Sequence, residues 1–237
     1  MTEYTHIIPK IIHQIWIGAN KEPTIWTDTW KIDYITSFPD FEYIFWNDKK
    51  IENLLVAYPE ILNMYHIEQT CCGKADIARY VILYEHGGIY IDADSVWLKK
   101  HNLSTLIDQT GECGMFAAKD TNINKLANSV IGCSKKNPNM LHTINALKDK
   151  SYNFIQHKYS NRVYEKLRKI SGASTVSGPV FFDKINQNSI TIFPSHYFYP
   201  VTWHGIRNIN GEHEKYTDTD SYMFQYGYTT NNLSDKF

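Results

Sequence analysis

"KADIARYVILYEHGGIYIDAD" (Lys74–Asp94) is the stretch whose reading decides this fold. Its first part, apolar from Ile77 to Tyr84, has the length and composition of a buried helix, and Gly87-Gly88 stops it. The glycines hand the chain directly to Ile89-Tyr90-Ile91, a short strand suited to the middle of a sheet. Two acids then follow, Asp92 and Asp94. Strand alternation places Ile89, Ile91 and Ala93 on one face and Tyr90, Asp92 and Asp94 on the other, the carboxylates about 6.6 Å apart along the strand. Unpaired charges there would be costly. A hard divalent cation with phosphate ligands resolves the conflict, one acid binding the metal while its neighbour meets a sugar or metal-bound water. Asp76 and Arg79, three residues apart on the preceding helix, share a helical face. They read either as a structural ion pair or as contacts to a sugar and a diphosphate.

Upstream, "IPKIIHQIWIG" (Ile8–Gly18) predicts a buried strand closed by glycine. Pro23–Phe38 has roughly helical apolar spacing, "FEYIFWND" (Phe41–Asp48) is a second strand, and Lys50–His66 is helical with an interruption at Pro59. Strands alternating with helices imply a doubly wound α/β layer with a largely parallel sheet, whose ligands sit at the carboxyl ends of strands. The loop after Trp16 and the acids at Asp94 are two such ends, and Trp16 is either core or a wall for a nucleotide base. Downstream the pattern loosens. Lys125–Lys150 holds a strand-like piece and then a helix from about Asn139. Ser151–Ile170 reads as a surface helix, Ser171–Ile185 as a glycine-rich loop entering a short helix, and Ser189–Val201 as a strand with a proline-rich exit. The tail from Thr202 is weakly patterned. Its Asp218-Thr219-Asp220 is a second D-x-D triplet, read as a solvated turn, so the triplet at Asp92 draws its weight from its place at a strand end.

The chain has 237 residues, 43% hydrophobic and 21% charged, with formal net charge −1, enough to bury a real core. That charge gives no footprint for nucleic acid or an anionic membrane. No apolar stretch reaches the roughly 18 residues that span a bilayer, and "MTEYTHIIPK" lacks signal-peptide features. The expectation is a cytoplasmic protein with no membrane span and no nucleic-acid partner. Cys71, Cys72, Cys113 and Cys133 form no zinc spacing and read as free thiols.

Taken together, "IPKIIHQIWIG", "FEYIFWND", "KADIARYVILYEHGGIYIDAD", "SGPVFF" and "FYP" resemble glycosyltransferase family 32. This family includes initiating α-1,6-mannosyltransferases, capsular-polysaccharide sugar transferases and, distantly, the catalytic domains of large clostridial toxins. The resemblance is strong over about residues 7–98 and patchy to about 200. It implies a GT-A-like nucleotide-diphospho-sugar transferase fold, a Rossmann-like mixed sheet flanked by helices. It further implies one catalytic domain over residues 1–237, with a nucleotide-sugar half to about residue 98 and an acceptor half beyond. The implied partners are a UDP- or GDP-linked sugar donor and a glycan or small hydroxyl acceptor, with Mn²⁺ or Mg²⁺ as cofactor and retention of anomeric configuration. By position, Trp16 is similar to the base-stacking residue. Asp76 and Arg79 are similar to the donor-sugar and diphosphate contacts, and Tyr90 lines the same pocket. Asp92 resembles the acid bridging ribose and sugar, Asp94 the direct metal ligand, and Asn128 a sugar-contacting amide. Asp92, Asp94 and Arg79 are thus the expected catalytic group.

The tail departs from the family. Members often carry a His-His-Trp…Ser-Trp segment that completes the metal site, whereas "SYMFQYGYTTNNL" offers Gln225 and no tryptophan. Glutamine oxygen is a neutral, weaker ligand for a hard metal. A catalytically weak or inactive sugar-nucleotide-binding protein and a D-x-D metal-dependent nucleotidyltransferase are the alternatives. A glycoside hydrolase fits worse, because its two acids must flank the scissile bond.

Overall fold

The computed structural model of the chain describes residues 6–120, 124–156, 173–201 and 211–227. The first strand, β1 (Ile11–Ile15), is followed by α1 (Thr24–Asp28), a π-helical turn (Thr29–Tyr34) and α2 (Ile35–Ser37). Trp26, Trp30 and Tyr34 recur every fourth residue and are buried, and the wider π turn keeps such a spacing on one face. Next come β2 (Glu42–Trp46), α3 (Asp48–Leu55) and α4 (Pro59–Ile67), with Pro59 opening the new helix as the predicted break. The decisive stretch gives α5 (Cys71–His86), capped by the Thr70 side chain accepting from the Gly73 N–H at 3.2 Å. Gly87 (φ 67°) and Gly88 (φ 99°) then turn the chain into β3 (Gly88–Ile91).

The rest of the chain adds β4 (Ser95–Trp97), α6 (Ser104–Gln109), β5 (Met115–Asp120), β6 (Lys125–Leu126), β7 (Val130–Cys133), α7 (Pro138–Gln156), α8 (Pro179–Asn186), β8 (Thr191–Phe193) and β9 (Met223–Gln225). The main sheet runs β2-β1-β3-β7-β5, with β6 and β8 both paired to β5. Strands β1, β2, β3, β5 and β8 point one way, while β7 and β6 are reversed. The sheet is therefore mixed, as the GT-A-like expectation requires, and mostly parallel. Both faces are covered. Tyr90, Met115, Ala117 and Ile131 join α5, α7 and α8 in one core, and their alternates Ile89, Phe116, Ala118 and Val130 join Trp30, Trp97 and Phe198 in the other. At the β5–β7 contact Gly132 leaves the space that the Phe116 ring fills.

Several expectations change. The strand predicted through Asp94 ends at Ile91, because the next residues turn. The strand-like piece at Lys125 splits into β6 and β7, with Asn128 between them. β5 was given no element from sequence. Helix α7 runs to Gln156, so it absorbs the start of the helix expected over Ser151–Ile170, while residues 157–172 lie outside the described ones. Asp218 and Asp220 are exposed in a turn, as expected, and no disulfide joins any of the four cysteines. No helix among the described residues is long and apolar enough to cross a membrane.

Candidate active site

The site begins with the turn after β3. The Asp92 N–H donates to the Ser129 carbonyl at 2.9 Å, and the Asp92 carbonyl accepts from the Ser95 N–H at 3.2 Å and the Ser95 hydroxyl at 2.8 Å. That turn folds Asp94 back and starts β4, which pairs antiparallel with β9 in the register Ser95↔Gln225. The Tyr226 N–H donates to the Asp94 carbonyl at 2.9 Å. The pairing seats the Gln225 amide between the acids: its Nε2 lies 3.1 Å from Asp92 Oδ2 and 3.3 Å from Asp94 Oδ1. Both carboxylates thus face one point. A turn and a second strand bring this about, not the alternation along β3 that the sequence suggested.

Arg79 sits behind Asp92. Its Nη2 is 3.1 Å from Asp76 Oδ1 and 3.2 Å from Asp92 Oδ1, its Nη1 donates to the Asn128 carbonyl, and its Nε donates to the Ala75 carbonyl at 3.3 Å. The guanidinium lies 4.4 Å from the centroid of the Tyr90 ring, whose hydroxyl donates to Asp92 Oδ1 at 2.7 Å. Most of its donors are therefore taken by the protein. Burial works against the Arg79 charge, but Asp92, Tyr90 and Asp76 outweigh it and hold the group protonated. Asp76 receives a hydrogen bond from Asn128 Nδ2 at 2.8 Å, and the same amide reaches the Tyr80 hydroxyl at 3.1 Å. Burial lifts the Asp76 carboxyl from 3.8 to about 6, against the pull of Arg79 and the Asn128 hydrogen bond and with help from the Asp92 charge.

Two adjoining cavities open on this cluster. The first, about 140 Å³, is lined by Trp16, Asn20, Cys71, Cys72, Arg79, Tyr90, Asp92 and Asp94. The second, about 430 Å³, is lined by Asp76, Arg79, Asp92, Asp94, Asp120, Asn128, Ser129, Tyr199 and Gln225, among others, and falls in the size range of small-molecule pockets. The indole Nε1 of half-buried Trp16 donates to the Asn20 carbonyl at 2.9 Å, which fixes the ring at the first cavity's wall. Four carboxylates line the pair of cavities, and Arg79 is the only Lys or Arg among the described lining residues.

All the residues singled out from sequence, Trp16, Asp76, Arg79, Tyr90, Asp92, Asp94, Asn128 and Gln225, meet in this one cleft. Sequence reasoning missed Tyr80, Asp120, Ser129 and Tyr199. Asp120 ends β5, parallel to β3, so recognising "MFAAKD" as a strand would have put its acid at the same sheet edge. Ser129 and Tyr199 are joined hydroxyl to hydroxyl at 2.7 Å; Tyr199 stands in the "FYP" stretch that carries part of the family resemblance, whereas Ser129 had no local signal.

Set beside known proteins, residues 28–112 match the family described as glycosyltransferase sugar-binding region containing DXD motif. The chain belongs to this glycosyltransferase family. It is 32% identical over 238 residues to the uncharacterized glycosyltransferase L373 of Acanthamoeba polyphaga mimivirus, covering 94% of this chain and 84% of that one. It is also 32% identical over 148 residues to inositol phosphoceramide mannosyltransferase 3 of Schizosaccharomyces pombe, covering 62% of this chain and 39% of that protein. The chain thus spans about two-fifths of the yeast relative's length. In three dimensions it is similar to the catalytic domain of alpha-toxin from Clostridium novyi, with a TM-score of 0.56 at 9% identity over 98% of this chain and 80% of that one. The ligand-free glycosyltransferase domain of the YGT toxin gives 0.55 at 10% identity, over 79% and 80% of the two chains. These two likenesses bear on the fold.

Proposed function

We propose that this chain is a retaining, metal-dependent glycosyltransferase that moves a hexose or N-acetylhexosamine from a UDP- or GDP-linked donor to a hydroxyl of a glycan or small acceptor. The observation that carries the reading is the convergence of Asp92, Asp94 and Gln225 on one point, beside Arg79 and between two cavities. Four acids against one guanidinium repel a diphosphate unless a divalent cation accompanies it. The residues fit such an ion. Gln225 Oε1 is buried without a hydrogen-bond partner. Turning that amide over would aim its oxygen at the carboxylates, an arrangement that suits only a cation between them. Among the described residues no cluster of three His, Cys, Asp or Glu side chains could hold a metal alone.

Asp92, Asp94 and Gln225 would hold the ion, which when bound offsets the charge that builds on the departing diphosphate. Trp16 supplies a flat wall for the base. Tyr90 and Arg79 aim Asp92, and Asp76 with Asn128 reads hydroxyls of the donor sugar. The acceptor enters the larger cavity, past Asp120 and Tyr199. Residues 1–237 act as one catalytic domain, the nucleotide half ending near residue 98. The names of the yeast relatives, inositol phosphoceramide mannosyltransferases among them, favour mannose as the transferred sugar. Asp92 and Asp94 face one point rather than opposing each other, which disfavours a glycoside hydrolase.

The deciding measurement is thermal unfolding with UDP or GDP, in Mn²⁺ and in EDTA. A ligand held only by the native state at a hundred times its Kd stabilises by about 2.7 kcal/mol. We expect a rise in Tm in Mn²⁺ and little in EDTA. Equal shifts in both would sink the metal reading. Release of free sugar or its transfer to a hydroxyl acceptor then separates an enzyme from a protein that only binds the donor.

A further inference from the structure

The motif "HQIW" in β1 contains two polar residues that the functional reading has not used, His13 and Gln14, and both are fully buried. They grip the two ends of the neighbouring strand. His13 Nε2 bonds the Gly87 carbonyl at 2.8 Å while its Nδ1 accepts from Trp46 Nε1 at 3.1 Å, so Nε2 carries the proton. The β1–β3 ladder ends at His13↔Tyr90, and beyond it the Gln14 side chain takes over, its Nε2 donating to the Asp92 carbonyl at 3.2 Å. The Tyr43 hydroxyl donates to Gln14 Oε1 at 2.9 Å, which orients the amide with its nitrogen toward Asp92. A flipped amide would set oxygen against oxygen.

We propose that Gln14 is a positioning residue for the Asp92 carboxylate and, through it, for the cation and diphosphate. The Asp92 carbonyl is held by Gln14 and by both donors of Ser95, and the Asp92 N–H by Ser129. With its peptide groups fixed, the only freedom left to Asp92 is its side chain, and Arg79, Tyr90 and Gln225 take that up. Trp16 stands two residues after Gln14, just past the end of β1, where its backbone N–H donates to the Trp46 carbonyl at 3.0 Å. The base wall and the metal turn are thereby set by one rigid span of chain.

This inference rests on the metal-nucleotide reading of the site, and the test separates the two. Titration calorimetry with Mn²⁺·UDP and Mn²⁺·GDP is run on wild type, Gln14→Met, Tyr43→Phe and Thr143→Val. The last breaks a buried polar pair with Asn186, between α7 and α8 and away from the cleft. Loss of an outer contact to a metal ligand typically weakens metal affinity about 10- to 100-fold. We expect Gln14→Met to raise Kd about tenfold, Tyr43→Phe to raise it by less, and Thr143→Val to lower Tm with Kd unchanged. A Gln14→Met protein with lowered Tm and a Kd within threefold of wild type overturns the proposal, since Gln14 would then be only structural. Should that variant fail to fold, Tyr43→Phe decides alone, and an unchanged Kd overturns it. Wild type that binds neither nucleotide with Mn²⁺ overturns the functional reading itself, and this proposal with it.

Discussion

Asp76 is the residue where burial and charge compete most openly. Its carboxyl is raised from 3.8 to about 6, chiefly by burial. Above about pH 6 the folded protein carries the full cost of the buried charge. As pH falls from about 6 to about 4 the folded state takes up a proton that the unfolded state does not, so this group adds stability on acidification. Activity should move the other way. Protonated Asp76 releases its hold on Arg79 and Asn128, so transfer should show an acid limb near pH 6 that is absent in Asp76→Asn. A limb that survives in that variant belongs to another group. Asp94→Ala should abolish Mn²⁺-dependent transfer and leave the fold intact, because relief of like charge offsets the lost contacts; near wild-type rates would place the ion elsewhere. Gln225→His, offering a stronger ligand, should tighten Mn²⁺·nucleotide binding several-fold by calorimetry, and weaker binding would show that the amide oxygen is not a ligand. Asp92 and Asp94 were legible because glycines and an apolar strand frame them. The way they meet was not, since it depends on Gln225, far away in sequence.

At the scale of elements, the site depends on the β4–β9 ribbon. Val96, Leu98, Phe224 and Tyr226 pack with Trp26 into a small core of their own, and the Trp26 and Tyr226 rings stack at 5.1 Å. Truncating a buried aromatic typically costs about 3–5 kcal/mol. Phe224→Ala should therefore loosen the ribbon and weaken Mn²⁺·nucleotide binding together. Wild-type binding in that variant would show that Gln225 plays no part. The β1–β3 contact has its own pH signature. Burial, with the neighbouring His86 charge adding to it, depresses His13 from 6.5 to about 4 despite the Gly87 hydrogen bond. Its contribution is complete above pH 6.5 and lost as pH falls toward 4, because the unfolded chain protonates first. Melting curves of wild type and His13→Asn should converge over that window, and parallel curves would contradict the assignment. Helix α5 and strands β1–β3 could be read from periodicity and glycine stops. β4 and β9 could not, because strands of three residues have too little pattern to show a period and are fixed by pairing across the chain.

For the whole molecule, the two cavities meet at Asp92, Asp94 and Arg79, so a donor diphosphate and an acceptor hydroxyl would approach the sugar from the same side. An α-linked donor should then give an α-linked product, the departing diphosphate taking the acceptor's proton. NMR of the new linkage checks this, and a β-linked product would require a base on the opposite face. The overall architecture was legible because strands and helices alternate through residue 98. The reversed β7 was not, since an antiparallel insertion leaves no mark in the residues of one strand. One further consequence follows from the pairing of Ser95 with Gln225. Asp94 and Gln225, the two sides of the proposed cation pocket, are separated by 131 positions along the chain. At roughly 5–20 residues per second, a ribosome that has just made Asp94 needs on the order of ten seconds to deliver Gln225. Throughout that interval the nascent chain can build its sheet around β1–β3, yet it has no finished cation pocket. On the proposed reading, assembly order alone postpones donor capture until Gln225 has been made.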